Sequence, residues 1–127
     1  MKRTISVLLE NRYGAFNRVS TLFSGKGFNI HSISIGETEM PDIARMTLVT
    51  SGDDKMMDQI LKQLNRLIDT LKVVDLSRVN TVTRELALIS VSYKKGNRAE
   101  ITSLASMFKG KVVDITNRTI TFELTGP

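Results

Sequence analysis

The pattern of this chain starts twice. Ile5-Ser6-Val7 returns as Ile89-Ser90-Val91, Phe23-Ser24-Gly25-Lys26 returns as Phe108-Lys109-Gly110-Lys111, and Ile30 returns as Ile115, at shifts of 84–85 residues. Matches in one order at one spacing indicate an internal duplication. In 127 residues such a period leaves room for one whole unit and part of another.

The first unit reads as β-α-β-β-α-β. Residues 4–9 form a β-branched strand with Ile5, Val7 and Leu9 on one face. A polar loop from Glu10 to Gly14 follows. Ala15, Phe16, Val19, Leu22 and Phe23 then fall at steps of three and four, one helical stripe that Gly25 and Gly27 stop. Strands are predicted over 29–35 and 43–50, with a turn at 36–42. Residues 51–54 supply caps for a helix carrying Met57, Ile60, Leu61, Leu64, Leu67, Ile68 and Leu71 on one face, and a short strand covers 73–76. This is the ferredoxin-like order, an α+β fold with two helices on one face of an antiparallel sheet.

The second unit reads as a strand over 84–92, a polar turn at Lys94-Lys95-Gly96-Asn97, a helix over 98–108 and strands over 111–115 and 119–124. Ile101, Leu104, Ala105 and Phe108 mark the helix's inner face. The expected organisation is a first domain at 1–77, a linker at 78–83 and a second, C-terminally truncated βαββ domain at 84–127. Only 43 residues follow Arg84, too few for a second helix and fourth strand. Part of that sheet's apolar face is left for a partner or for missing chain to cover.

Composition removes most chemistry. The chain has no Cys and one His, which excludes thiol catalysis, thiolate zinc and a multi-His metal site. The net charge of +5 comes from scattered cations, and aromatics make up 6% with no Trp, a poor platform for stacked bases. No run approaches the ~20 apolar residues of a membrane helix and no apolar signal segment follows Met1, so a cytoplasmic protein is expected. Asp53, Asp54 and Asp58 read as caps and dipole partners rather than metal ligands. His31 reads as a structural or interface residue. No Walker loop, dinucleotide fingerprint or nucleophile elbow occurs.

One stretch could hold a ligand. Across Leu9-Glu10-Asn11-Arg12-Tyr13-Gly14-Ala15-Phe16 a strand feeds through a glycine turn into a helix start. There the backbone N–H groups lack helical acceptors and favour a carboxylate or phosphate. Asn11 can both donate and accept, as an amino acid's ammonium and carboxylate require. A tight turn with no ligand is the plain alternative.

Ser6-Val7-Leu8-Leu9-Glu10-Asn11, Gly14-Ala15, Arg18-Val19, Leu22-Phe23-Ser24 and Gly27-Phe28-Asn29-Ile30 resemble the opening of the small regulatory subunit of acetolactate synthase. Ser32-Ile33, Arg45-Met46-Thr47, the 59–73 region, Arg84-Glu85-Leu86 and 108–116 continue the likeness over nearly the whole chain. The resemblance implies an N-terminal ACT domain followed by a second, ACT-like one. It implies a noncatalytic chain that binds a branched-chain amino acid, usually valine, as feedback inhibitor. It also implies activation of a large catalytic subunit carrying thiamine diphosphate, Mg and FAD. The effector would lie between two N-terminal domains of a homodimer. Asn11, Arg12, Tyr13, Gly14, Ala15 and Phe16 of one copy and Asn29 and Ile30 of the other would hold it. Tyr13, Phe16 and His31 depart from the small residue, Leu and Glu usual in the family. The rival readings are a free-standing ACT-type amino-acid sensor and, in another class, an RNA-binding ferredoxin-like domain.

Overall fold

The computed structural model describes residues 2–94 and 96–127; of the predicted Lys94–Asn97 turn, Lys95 lies outside them. The chain divides into two compact units, Met1–Thr81 and Val82–Pro127.

The first unit comprises β1 (Lys2–Glu10), α1 (Ala15–Lys26), β2 (Ile30–Glu37), β3 (Ile43–Ser51), α2 (Asp54–Asn65) and β4 (Thr70–Asp75), closed by a 3-10 turn at Leu76–Arg78. Its sheet has the order β2-β3-β1-β4 and is antiparallel throughout. The predicted ferredoxin-like architecture is what this unit adopts. Alternation puts Ile5, Val7 and Leu9 of β1 opposite Leu48, Met46 and Ala44 of β3, all on the helix side. They meet Val19 and Phe23 of α1 and Met57, Ile60 and Leu64 of α2 in one core. Asp53 caps α2 by accepting the Met56 N–H at 2.8 Å.

The second helix is shorter than its apolar period suggests. It ends at Asn65, and Leu67, Ile68 and Leu71 are not on it. Leu67 packs against the core from the following turn, Ile68 is 76% exposed, and Leu71 stands half exposed on β4. The cause is Asp69: its carbonyl accepts the Glu10 N–H at 2.8 Å and its buried carboxylate binds Arg18. Those bonds draw the chain into an extended path along β1, so β4 begins at Thr70 rather than Val73 and Leu76 opens the 3-10 turn. A few apolar residues in helical period do not outweigh a buried carboxylate's ion pair plus a strand ladder.

The second unit comprises β5 (Glu85–Ser92), α3 (Arg98–Met107), β6 (Lys111–Ile115) and β7 (Thr119–Gly126), with sheet order β5-β7-β6. Of the expected inner face of α3, Ile101 and Ala105 are half-buried, whereas Leu104 is 56% and Phe108 68% exposed. Among the described residues of this unit only Ile120 and Phe122 are fully buried. With a single helix on three strands, Ile89, Val91, Ile101, Leu104, Phe122 and Leu124 line an open apolar groove of about 390 Å³.

Candidate functional site at the first strand-to-helix turn

β1 ends at Glu10, and the chain is hooked on both sides of the turn that follows. The Asn11 N–H donates to the Asp42 carbonyl at 2.8 Å. Asn11 Nδ2 donates to the Pro41 carbonyl at 2.8 Å and to Glu37 Oε1 at 3.4 Å. The side chain expected to donate to a ligand is thus committed to the β2–β3 turn, and its Oδ1 remains as an acceptor. On the other side Arg12 pairs with Glu10 and lies 3.5 Å from Asp69 Oδ1. Arg18 clasps the same carboxylate through Nε (2.5 Å) and Nη2 (3.1 Å).

Gly14 sits between these anchors at φ 84°, ψ −5°, the left-handed conformation, with no side chain capping α1. Its carbonyl accepts the Arg18 N–H at 3.0 Å and starts the helix. The Ala15 N–H donates back to the Arg12 carbonyl at 3.2 Å, which leaves the Phe16 and Asn17 N–H groups of the first turn without a helical acceptor beside a residue with no Cβ, an arrangement that accepts a carboxylate. A Cβ built at Gly14 would stand 3.3 Å from Arg18 Nη1. Ala15 is buried beneath the turn, Phe16 is 44% exposed, and Tyr13 projects fully into solvent.

Asn29 and Ile30 lie elsewhere. Ile30 pairs with Thr50, which faces Arg3, whereas the turn follows Glu10 at the other end of β1. Seven residues of strand, ~23 Å, separate the two segments within one chain. β2 is an edge strand bonded only to β3, without Pro or Lys. Antiparallel pairing of two such edges about a twofold would place one copy's Asn29 beside the other copy's turn. Ile30 packs on the core and Asn29 is exposed, its carbonyl accepting the Thr50 hydroxyl at 2.5 Å. His31, at the β2 bulge, hydrogen-bonds Ser51.

Two features went unnoticed in the sequence. Asp69 gives the site its electrostatic floor: the Arg18 hydrogen bond holds its carboxyl below the usual range against the opposing effect of desolvation. The same bond raises the already basic Arg18. A single Asp in Leu67-Ile68-Asp69-Thr70-Leu71, 51 residues from its partner, leaves no local signal. The second is an ionic cluster at the far end of the sheet. Asp54 pairs with the buried Arg3 and is lowered by it, and Asp58 pairs with Arg78 at 3.1 Å. The acidic residues of α2 are thus a cap and two arginine partners, and no metal-holding group occurs among the described residues. The helix-free sheet face carries Thr4, Ser6, Leu8, Arg45, Thr47, Val49, Lys72 and Val74 by register, with no aromatic residue on which a base could stack.

A βαββαβ sheet with two helices on one face places the first unit in the ferredoxin-like class. Residues 5–72 match the family described as the AHAS small subunit-like ACT domain, and residues 84–127 match the family described as the small subunit of acetolactate synthase. The chain is 46% identical over 123 residues to the acetolactate synthase small subunit of Mycolicibacterium smegmatis, covering 97% of itself and 72% of that protein. It is 49% identical over 127 residues to that of Aquifex aeolicus, covering 98% and 66%. The crystal structure of the acetolactate synthase small subunit from Thermotoga maritima superposes with a TM-score of 0.87 at 34% identity, covering 99% of this chain and 79% of that one. The ACT domain of a GTP pyrophosphokinase from Chlorobium tepidum, at 17% identity and TM-score 0.54, covers 65% of this chain and 92% of itself, and shares the fold alone. The chain belongs to the acetolactate synthase small subunit family.

Proposed function

We propose that this chain is a noncatalytic regulatory subunit that binds a branched-chain amino acid, valine first, between two copies of its N-terminal unit. The effector's carboxylate is received by the N–H groups at the Gly14 turn, its ammonium by the free Asn11 Oδ1 and the partner copy's Asn29. Its apolar side chain lies against Phe16 and the partner copy's Ile30. Occupancy then biases the conformation offered to a large catalytic subunit. That subunit, by the resemblance, carries thiamine diphosphate, Mg and FAD and is activated by this chain. The reading extends to a homodimer in the cytoplasm acting in branched-chain amino acid synthesis. The observation that supports it most is the uncapped left-handed turn at one end of the sheet, to which twofold pairing of the β2 edge would bring the other copy's Asn29.

Calorimetry of the purified chain against valine, leucine and isoleucine tests it. Valine at 100 times its dissociation constant is expected to stabilise the chain by ~2.7 kcal/mol, visible as a thermal shift. The chain alone should not turn over pyruvate, and should raise the activity of its large subunit. A monomer by light scattering at micromolar concentration, with and without valine, would overturn the shared site.

A further inference from the structure

β4 carries a buried carboxylate at each end, and each is tied to a different part of the first unit. Asp69, immediately before the strand, is 1% exposed and holds Arg18 and Arg12 of the effector turn. Asp75, its last residue, is 8% exposed, lies 3.1 Å from Arg78 Nε and 3.7 Å from Arg3 Nη1, and accepts the Ser77 N–H at 3.0 Å. Arg78 closes the 3-10 turn. Beyond it, residues 79–84 run without helix or strand into the second unit. Arg78 also reaches Asp58 of α2 at 3.1 Å, and the Thr4 N–H donates to the Ser77 hydroxyl at 2.9 Å. The last anchored turn before the connection is therefore fixed to β1, α2 and β4 together.

Six residue steps of extended chain, ~20 Å, join the two carboxylates. Trans peptides and fixed bond lengths make such a segment almost inextensible. Its ladder with β1 is regular from Ile5 to Leu8 and shifts register between Leu8 and Leu9, beside Asp69. The end that meets the effector turn is thus the end with the less regular pairing. Arg18 Nη1 lies 3.3 Å from where a Cβ at Gly14 would stand, so a carboxylate received at that turn would draw on the Arg18 guanidinium and through it on Asp69, and the strand would carry the displacement to Asp75.

We infer that β4 passes the occupancy of the effector turn to the connection between the two units, with Asp69, Arg18 and Arg12 as its input and Asp75 with Arg78 as its output. This rests on the effector reading and names the route of its regulation. Arg78 is a positioning residue: it touches no effector and acts through Asp75.

The test is hydrogen exchange across residues 76–83 of the full chain, with and without saturating valine, alongside calorimetry and inhibition of the reconstituted enzyme. In the parent, valine should slow exchange there by at least ~5-fold, the lower range of allosteric coupling. Arg78→Gln should bind valine within about 2-fold of the parent, yet lose the exchange response and most of the inhibition. Arg78→Lys, which keeps the charge, should restore part of both. An Arg78→Gln chain that responds like the parent would overturn the route. So would one that no longer binds valine, since Arg78 would then belong to the site itself. A parent that binds none of the three amino acids would instead remove the effector reading, before any variant is made.

Discussion

The two units are built from one β-α-β-β pattern, yet they treat the same kinds of residue differently. α1 buries Ala15, Val19 and Phe23, whereas α3 buries no residue fully. Both helices end in the same backbone motif: Phe28 N–H bonds the Phe23 carbonyl at 3.0 Å, and Gly110 N–H bonds the Ala105 carbonyl at 2.8 Å. By that geometry Phe23 corresponds to Ala105, not to Phe108. Phe108 falls at the C-cap of the shorter α3, where it is 68% exposed. The repeat shift of 84–85 thus holds through the first strand and fails at the helix end. Burial belongs to what lies opposite a side chain: Phe23 faces Phe28, α2 and the sheet, while α3 is the one helix among the described residues of its own unit.

The largest expected contrast breaks this pair of helices directly. Phe23→Ala should cost about 3–5 kcal/mol, because it deletes a ring that is 1% exposed from a closed core. Phe108→Ala should cost less than ~1 kcal/mol. Chemical denaturation of both variants measures the two values, and equal losses would mean that Phe108 is covered in solution.

The turns differ as sharply as the helices. α1 starts from Gly14 at φ 84°, whereas α3 starts from Asn97 at φ −120°. Gly14→Asp should therefore weaken valine binding severely. Its left-handed backbone disfavours a side chain, though less for Asp than for most residues, and the Cβ would meet Arg18 Nη1 at 3.3 Å. A new carboxylate would also occupy the donors meant for the ligand. A loss of ~3–4 kcal/mol out of ~8 for micromolar binding moves the dissociation constant by 10²–10³-fold, into the high-micromolar to millimolar range. Calorimetry reads this directly, and activation of the large subunit should persist. Asn97→Asp in the second unit should leave valine binding unchanged.

Acid sharpens the same division. Asp69 and Asp54, both of the first unit, have carboxyls lowered chiefly by hydrogen bonds from Arg18 and Arg3. A carboxyl whose folded value lies below its unfolded one, about 4, stabilises fully above that pH. It loses that stabilisation as pH falls through the folded value. The first unit should accordingly weaken below pH ~4. Asp69→Asn should start from lower neutral-pH stability and flatten that acid slope. A pH series of melting curves in which parent and variant keep parallel slopes would contradict the role given to the Arg18–Asp69 pair.

The sequence carried the first three strands and the first helix legibly because their signals are local: alternation at Ile5, Val7 and Leu9, and a three-four stripe from Ala15 to Phe23. The glycine turn was legible for the same reason. The end of α2 and the floor of the site were not, because both depend on Asp69 meeting Arg18 and the Glu10 N–H across the fold. A pattern read along the chain registers Leu67, Ile68 and Leu71 as helical period. It has no means of weighing a bond to a residue 51 positions away.

The smallest expected effect lies at the two helix ends and has opposite signs in the two units. Gly27 follows α1 at φ 71°, while the corresponding left-handed residue after α3 is Lys109 at φ 58°. A Cβ at Gly27 would meet nothing within 4 Å, so only backbone strain opposes a side chain there. Gly27→Lys should then destabilise the first unit by ~1 kcal/mol, the left-handed penalty less the entropy glycine loses on folding. Lys109→Gly should stabilise the second unit by a similar or smaller amount, because it relieves the same strain while loosening the unfolded chain. Hydrogen exchange at the Gly110 amide, bonded to Ala105, reports the second change without interference from the first unit. Slower exchange in Lys109→Gly is the expected result. Faster exchange would mean that the Lys109 side chain contributes more to holding the end of α3 than its backbone costs.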